Sequence, residues 1–486
     1  MGGKRVAKFQ TKKRVEVVYG DDDRISHLPD DILVDIISLL SLKEAVCTSV
    51  LSSRWHNLWK HIYRLNFDPH SSLQKGTQQG FESCKEKRET YVKWVNSVLR
   101  KHKAAILKDF VIRLRLSRTF QKDVNRWINF AIVRHVQRLE LDLTTDNWSL
   151  INCSLPQELL TQNTSSEIDF KFLKILCLKS VDVTEEDMKF FQSKCPMLEE
   201  LVVDRSLKLV NVEVCGGPSL VLKHLELTRC YDLKSVKVST PNLTLLSIHG
   251  CESCLKSVKI TAPNLTSLTL QKVESLFLEN VPRLVEVSIC RAYSQVSTAV
   301  ALSAFACCGF QLEILTVEMK SFEETFLPTI LQLPKLKKLV VFVMGDELFD
   351  SRNRYPSDTG LTNLMKAAPN LREFVLNMQY PDTLMFNFIR YDNIQRFSHR
   401  HHLQVQSFIH QQLKVFKFCG YCGVPNQVEV LKNVIEKCVA LEKVIIEPRY
   451  DRLYSSEPIY TEEFIKEQVV KRLKEQVPQQ IELVIL

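Results

Sequence analysis

Apolar residues near the start of the chain recur at helical spacing. Pro29 suits the opening turn of a helix, where its missing N–H leaves no bond unmade. Asp30 and Asp31 sit where the helix dipole favours negative charge. Ile32, Leu33, Ile36, Ile37, Leu39 and Leu40 follow, with a polar flank at Asp35 and Ser38, and predict a helix with an apolar stripe. Ser41 and Glu44 form a capping box that starts a second helix through Ala45, Val46 and Val50. A third short helix carries Trp55, Leu58 and Trp59. Three short helices in about 40 residues enclose only a small core, which a partner should steady. The pattern then lapses: residues 68–90 are rich in Ser, Gln, Gly, Lys and Glu and read as a linker. An amphipathic helix follows, with Tyr91, Trp94, Val95, Val98 and Leu99 on one face.

From about residue 109 the period changes. Leu222-x-x-Leu225-x-Leu227-x-x-Cys230 and Leu243-x-x-Leu246-x-Ile248-x-x-Cys251 fit the leucine-rich-repeat template. The same frame recurs from Leu173, Leu198, Leu265, Leu284, Leu312, Leu336, Leu371, Leu413 and Leu441, with degenerate earlier copies at Val111 and Val136. Two neighbours, Leu233-Lys234-Ser235-Val236-Lys237 and Leu255-Lys256-Ser257-Val258-Lys259, are near duplicates, and each leads into Pro-Asn-Leu-Thr. In a strand alternate side chains face opposite ways, so the second and third leucines of each copy should point inward. One copy cannot bury its own apolar face; stacked copies make a continuous core under a curved parallel sheet. The side chains between the leucines should line the concave face. These are His224, Glu226 and Thr228, then Leu245, Ser247 and His249, then Ser267, Thr269 and Gln271. Loops are expected near Gly345–Gly360 and Tyr380–His402, where the copies spread apart. A helix around Glu463–Gln476 and a strand over 481–486 should close the array.

Composition narrows the class. With 45% hydrophobic and 25% charged residues among 486, and only 13 glycines, the chain is neither globally disordered nor collagen-like. A formal charge of +9 is mild at this length, so nucleic acid is not an expected partner. The first fourteen residues carry six Lys or Arg and no acid, which predicts a solvated tail over 1–23; the alternative is a nuclear import signal around Lys12-Lys13-Arg14. The fifteen cysteines are irregularly spaced, odd in number and not preceded by a secretory leader. They are expected to be reduced thiols of a nuclear or cytoplasmic protein. Ala292–Leu312 is uncharged but too polar to cross a bilayer, so a buried helix is expected there and no membrane partner.

The helical block and the repeats together resemble the plant F-box/FBD/LRR-repeat proteins. The F-box likeness runs from Ile25 to Trp59, through Ile25-Ser26-His27-Leu28-Pro29-Asp30-Asp31-Ile32-Leu33, Lys43-Glu44-Ala45-Val46 and Thr48-Ser49-Val50-Leu51-Ser52-Ser53-Arg54-Trp55. Ser41-Leu42 and Cys47 depart from the family's frequent residues without removing an apolar position. The FBD likeness starts at Leu413-Lys414-Val415-Phe416-Lys417-Phe418. It continues through Gly420 and Val428-Glu429-Val430-Leu431 to Cys438-Val439-Ala440-Leu441-Glu442-Lys443-Val444. The resemblance implies an α/β chain: a three-helix F-box (24–68), a linker and helix (69–108), a leucine-rich-repeat solenoid (109–400), and an FBD region with a cap (401–486). It also implies a non-catalytic substrate-recognition subunit of an SCF-type ubiquitin ligase. Leu28, Pro29, Ile32, Leu33, Ile36 and Leu40 would dock a Skp-type adaptor, itself joined to a cullin, with Trp55 and Trp59 packing and shaping that surface. An unknown protein substrate would lie on the concave face, at His224, Glu226, Ser247, Thr269, Val340 and Phe342. The alternative is a repeat scaffold that binds a partner without ligase function.

Other chemistry finds little support. The pairs Cys251/Cys254 and Cys419/Cys422 are too far apart along a solenoid to share a tetrahedral zinc site, so no metal and no cofactor is expected. His399, His401 and His402 cluster with Arg400, most simply in a solvated loop. No phosphate-binding loop, H-E-x-x-H or G-x-S-x-G motif occurs, so no catalytic residue is assigned. Leu245, Val340, Phe342 and Val375 are apolar residues at predicted concave positions. They mark either a recognition patch or a surface that other parts of the chain cover.

Overall fold

A computed structural model describes residues 24–25, 27–68, 85–144, 152–156, 170–217, 219–251, 255–271, 275–290, 305–319, 332–344, 359–379, 408–421, 425–448, 473 and 477–486. The expected basic tail, most of the linker, Cys254, Cys422 and the His399–His402 cluster lie outside them. The chain divides into two compact units, Met1–Phe110 and Val111–Leu486.

The first unit opens with helices α1 (Asp30–Ile37) and α2 (Leu42–Cys47), then 3-10 turns over Thr48–Val50 and Trp55–His61. Pro29 is the N-cap of α1 rather than its first residue, with ψ at 155°. The capping box of α2 forms as expected. The Glu44 N–H donates to Ser41 Oγ at 3.3 Å, and the Glu44 carboxylate accepts the Ser41 N–H at 3.0 Å. Arg54 pairs with Asp30 at 2.7 Å, tying the third helix to the start of α1. Leu33, Ile37, Leu42, Ala45, Trp55, Leu58 and Trp59 make the core. Strand Arg64–Phe67 and helix α3 (Lys85–Lys101) follow. Val92, Val95, Val98 and Leu99 of α3 are buried, and Trp94 meets Phe67 edge-on at 5.6 Å.

The second unit is a parallel solenoid. Every frame from Leu173 to Leu441 yields a strand, from Ile175–Lys179 to Lys443–Pro448, and consecutive strands pair in parallel. Register aligns like with like. Leu225 faces Leu246, which faces Leu268, then Val287, Leu315, Leu339, Phe374, Phe416 and Val444. Each of these is fully buried, so the sheet rests on an unbroken apolar ladder. The ladder turns aromatic towards the end, where Phe374 and Phe416 stack at 5.3 Å. The first leucine of each frame is buried too, below the strand.

The turns repeat as regularly. The template cysteines answer backbone carbonyls left by the preceding coil: Cys230 Sγ reaches Val203 O and Cys251 Sγ reaches Leu227 O, each at 3.8 Å. Asn242, Asn264 and Asn370 each donate to a carbonyl one coil back, at 2.7–2.8 Å, which is the role of the asparagine in Pro-Asn-Leu. Ser180, Arg205, Arg229 and Gly250 each follow a strand with positive φ, where the chain turns off the sheet.

Between residues 211 and 279 the coils carry a second parallel sheet, in the order Ser275–Glu279, Ser257–Thr261, Ser235–Ser239, Asn211–Cys215. The near-duplicate segments are therefore strands. Val236 and Val238 pair with Val258 and Ile260 and are sealed between the two sheets. Lys237 and Lys259 face out and pair with Glu213 and Glu279 at 2.6 and 2.9 Å. Later coils use helices instead, Thr359–Ala367 and Pro425–Lys437, and the expected loop at Gly345–Gly360 thus ends inside a helix. The final strand, Glu482–Ile485, pairs with Lys443–Ile446 as expected. Of the expected helix at Glu463–Gln476 only Leu473 is described, and it is helical and buried. The buried helix expected over Ala292–Leu312 is not seen in its described part: residues 305–308 form a turn and Gly309–Gln311 a 3-10 turn.

Candidate functional site

The residues that the sequence singles out fall on two surfaces, one in each unit. The helices of the first unit are too short to wrap their own apolar residues. α1 has two apolar flanks, one formed by Leu33 and Ile37, which enter the core, and one by Ile32 and Ile36, which do not. Val50 is 86% exposed, Leu39 71% and Leu51 65%, and Ile32, Ile36, Leu40 and Val46 are each exposed by 36–42%. Pro29 is exposed and Leu28 half-buried. Leu33 corrects the expectation. It is fully buried at the centre of the bundle, so it supports the surface from beneath and cannot touch a partner. Trp55 and Trp59 are likewise buried and act by packing. Leu39, Val46, Val50 and Leu51 share this exposed surface, and the sequence marks them only as apolar residues with no place in so small a core.

On the second unit, His224, Glu226, Ser247 and Thr269 all point out of the sheet and are half-buried. His224 lies between two carboxylates, its Nδ1 3.6 Å from Glu200 and its Nε2 3.7 Å from Glu226. His249 approaches Glu226 at 3.9 Å, and Thr228 donates to the same carboxylate at 3.0 Å. Thr228 and Gln271 are buried rather than displayed, because the strand ends there and the turn closes over them. Farther along, Val340 sits beside Val375 across the strand pair, with Phe342 two residues on, all half-buried on the outward side. The surface thus changes from acid and imidazole, through hydroxyls at Ser247, Thr269, Ser288 and Thr316, to apolar side chains.

Burial pushes the thiols of Cys153, Cys177, Cys195 and Cys438 up to about 12, so they stay protonated and unreactive. Cys419 rises to about 11 from burial and the neighbouring Glu447 carboxylate. Among the described residues no group of His, Cys, Asp and Glu is arranged to hold a metal ion, and no helix is long and apolar enough to cross a membrane.

Comparison with known proteins fits this two-part layout. Residues 25–67 match the F-box domain, and residues 217–475, more than half of the chain, match the LRR domain described for At1g61320/AtMIF1. The chain belongs to the F-box/LRR-repeat proteins. It is 30% identical over 287 residues to F-box/LRR-repeat protein At3g26922 of Arabidopsis thaliana, covering 55% of this chain and 82% of that one. It is 30% identical over 263 residues to F-box/LRR-repeat protein At1g55660 of the same plant, covering 49% and 67%. Putative FBD-associated F-box protein At1g05080, also of Arabidopsis, is 25% identical over 456 residues, covering 88% and 92%. In this F-box/LRR-repeat protein the F-box match spans the exposed apolar face, and the LRR match spans most of the outward-facing row.

Proposed function

We propose that this F-box/LRR-repeat protein is the substrate-recognition subunit of an SCF-type ubiquitin ligase and performs no bond-making itself. The F-box docks a Skp-type adaptor, which joins it to a cullin, and the outward face of the solenoid holds a protein substrate. The observation that carries this reading is the apolar surface of the F-box: Ile32, Ile36, Leu39, Leu40, Val46, Val50 and Leu51 all meet solvent in one small bundle. Single exposed apolar residues are ordinary, but a set this dense marks an interaction site. Association would remove that area from water at about 25 cal/mol per Å².

The solenoid supplies the second half. Its outward row varies in chemistry from coil to coil while the inward row stays fixed, which lets a surface be specific without disturbing the fold. Affinity capture with the proteasome inhibited tests both halves, comparing the intact chain with Ile36→Asp/Val50→Asp. Adaptor and cullin should come down with the intact chain alone, and substrate with both. Adaptor recovery that the double substitution leaves unchanged would remove the docking claim, and with it the ligase role.

A further inference from the structure

Carboxylates on the outward row of the solenoid as a rule pair with a Lys or Arg. Glu140 takes Arg113 and Arg138, each at 2.7 Å, and Asp142 takes Lys179 at 3.6 Å. Towards the other end Lys338 pairs with Glu373 at 2.9 Å, and Lys417 with Glu447 at 2.7 Å. Between these two regions the rule lapses. From strand Glu200–Asp204 to strand Glu286–Cys290 no outward position holds a Lys or Arg. Asp204 reaches Arg229 in the following turn. Among the described residues, however, Glu200 and Glu226 meet only the imidazoles of His224 and His249, at 3.6–3.9 Å, and the Thr228 hydroxyl. A neutral imidazole cancels no charge. Glu286, three strands on from Glu226, is exposed. In a chain of formal charge +9 this part of the face is therefore negative. The same row then turns apolar. On successive strands Glu226 is followed by Ser247, Thr269, Ser288 and Thr316, and then by Val340. Five strand spacings of about 4.8 Å set Val340 roughly 24 Å from Glu226, the length of about seven extended residues. The four side chains between are short, so a peptide main chain can lie over them.

We propose that this face takes an extended segment of the substrate with a Lys or Arg at Glu200 and Glu226 and, about seven residues away, an apolar side chain at Val340 and Val375. The assignment rests on the substrate-receptor reading and names the class of segment received. Charge complementarity selects the basic end. An acidic segment would be repelled there, and a neutral one would leave two negative charges uncancelled. At the other end Val340 and Val375 lie side by side across the strand pair, half-buried, with Phe342 two residues on. Covering them removes apolar area from water. The hydroxyl stretch keeps the two ends apart, so position along the segment matters as well as composition.

Panning a displayed library of random twelve-residue peptides on the full chain tests it. Retained sequences should be enriched in Lys or Arg about seven residues from a Leu, Ile, Val or Phe, in either chain direction. Glu200→Gln/Glu226→Gln should abolish the basic enrichment and keep the apolar one, and Val340→Ser/Val375→Ser should do the reverse. For a single retained peptide, each carboxylate should be worth up to about fivefold in affinity, the strength of a partly exposed ion pair. Glu213→Gln, on the second sheet, should change nothing. If Glu200→Gln/Glu226→Gln lowers the melting temperature, Glu200→Gln alone decides, its side chain being 37% exposed. The proposal is overturned if retained peptides carry no basic bias, or if the bias survives the loss of these carboxylates. It is equally overturned if the chain self-associates and Val340→Asp abolishes that association, which would make a second copy the occupant. Failure of adaptor capture with the panning result intact would refute the ligase reading and leave a receptor for basic segments; the converse would refute this assignment alone.

Discussion

Helix α1 and the strands of the second sheet carry similar aliphatic side chains with opposite outcomes. Ile32 and Ile36 stay in water, while Val236, Val238, Val258 and Ile260 are sealed. The difference is geometric. A coil of the solenoid lies between its own two flanks and the coils on either side, so each apolar residue finds a ceiling and neighbours in register. The F-box is a single layer of short helices, and a residue on the far side of α1 has nothing of its own to cover it. Where apolar content exceeds what the local fold can enclose, the surplus becomes a surface for something else. The solenoid has no such surplus in its inward ladder, and the partner surface proposed for it is the outward row, which the fold does not need.

That contrast can be broken most forcefully inside the solenoid. Phe416→Ala removes a buried ring from between Phe374 and Phe418 and should cost about 3–5 kcal/mol, seen as a lower denaturation midpoint. Adaptor binding should persist below the new midpoint. Gly420 comes next. It has φ of +77°, and an added Cβ would collide with the Met378 carbonyl oxygen. Gly420→Ala should cost about 1–3 kcal/mol from backbone strain alone, with the collision adding to it. A thermal melt unchanged from wild type would show that the bulge between Cys419 and Tyr421 is not held as described. In the F-box the expectation reverses. Val50→Asp should leave stability within about 0.5 kcal/mol, because the side chain touches little, yet lower adaptor affinity by tenfold or more. The smallest effect belongs to the outer ladder: Glu213→Ala breaks its 2.6 Å pair with Lys237, but both side chains are exposed to solvent and the melting temperature should not move.

Much of this architecture is readable from the sequence, for identifiable reasons. The frames from Leu173 to Leu441 predict the strands of the main sheet from Ile175–Lys179 to Lys443–Pro448, because a leucine ladder repeated at one offset has no other economical packing. The capping box at Ser41 and Glu44 likewise marks the true start of α2. The second sheet is harder to see, since its five-residue strands alternate only Val-x-Val, Val-x-Ile or Leu-x-Leu, and two alternations are weak evidence until coils are stacked. The placement of Leu33 depended on which flank of α1 turns inward, and helical periodicity predicts a stripe without choosing its direction. The cleft that Leu42, Val46, Tyr91 and Trp94 line in the first unit could not be read at all, since it joins residues from 41 to 94 that only the folded unit brings together.

The direct test is calorimetric titration of the whole chain with a purified Skp-type adaptor at several temperatures, alongside Ile36→Asp/Val50→Asp. Burial of an apolar face gives a clearly negative heat-capacity change on binding. The account predicts that change for the intact chain and no measurable binding for the variant, with equal melting temperatures. Equal affinity for both proteins, or binding with no heat-capacity change, would contradict it.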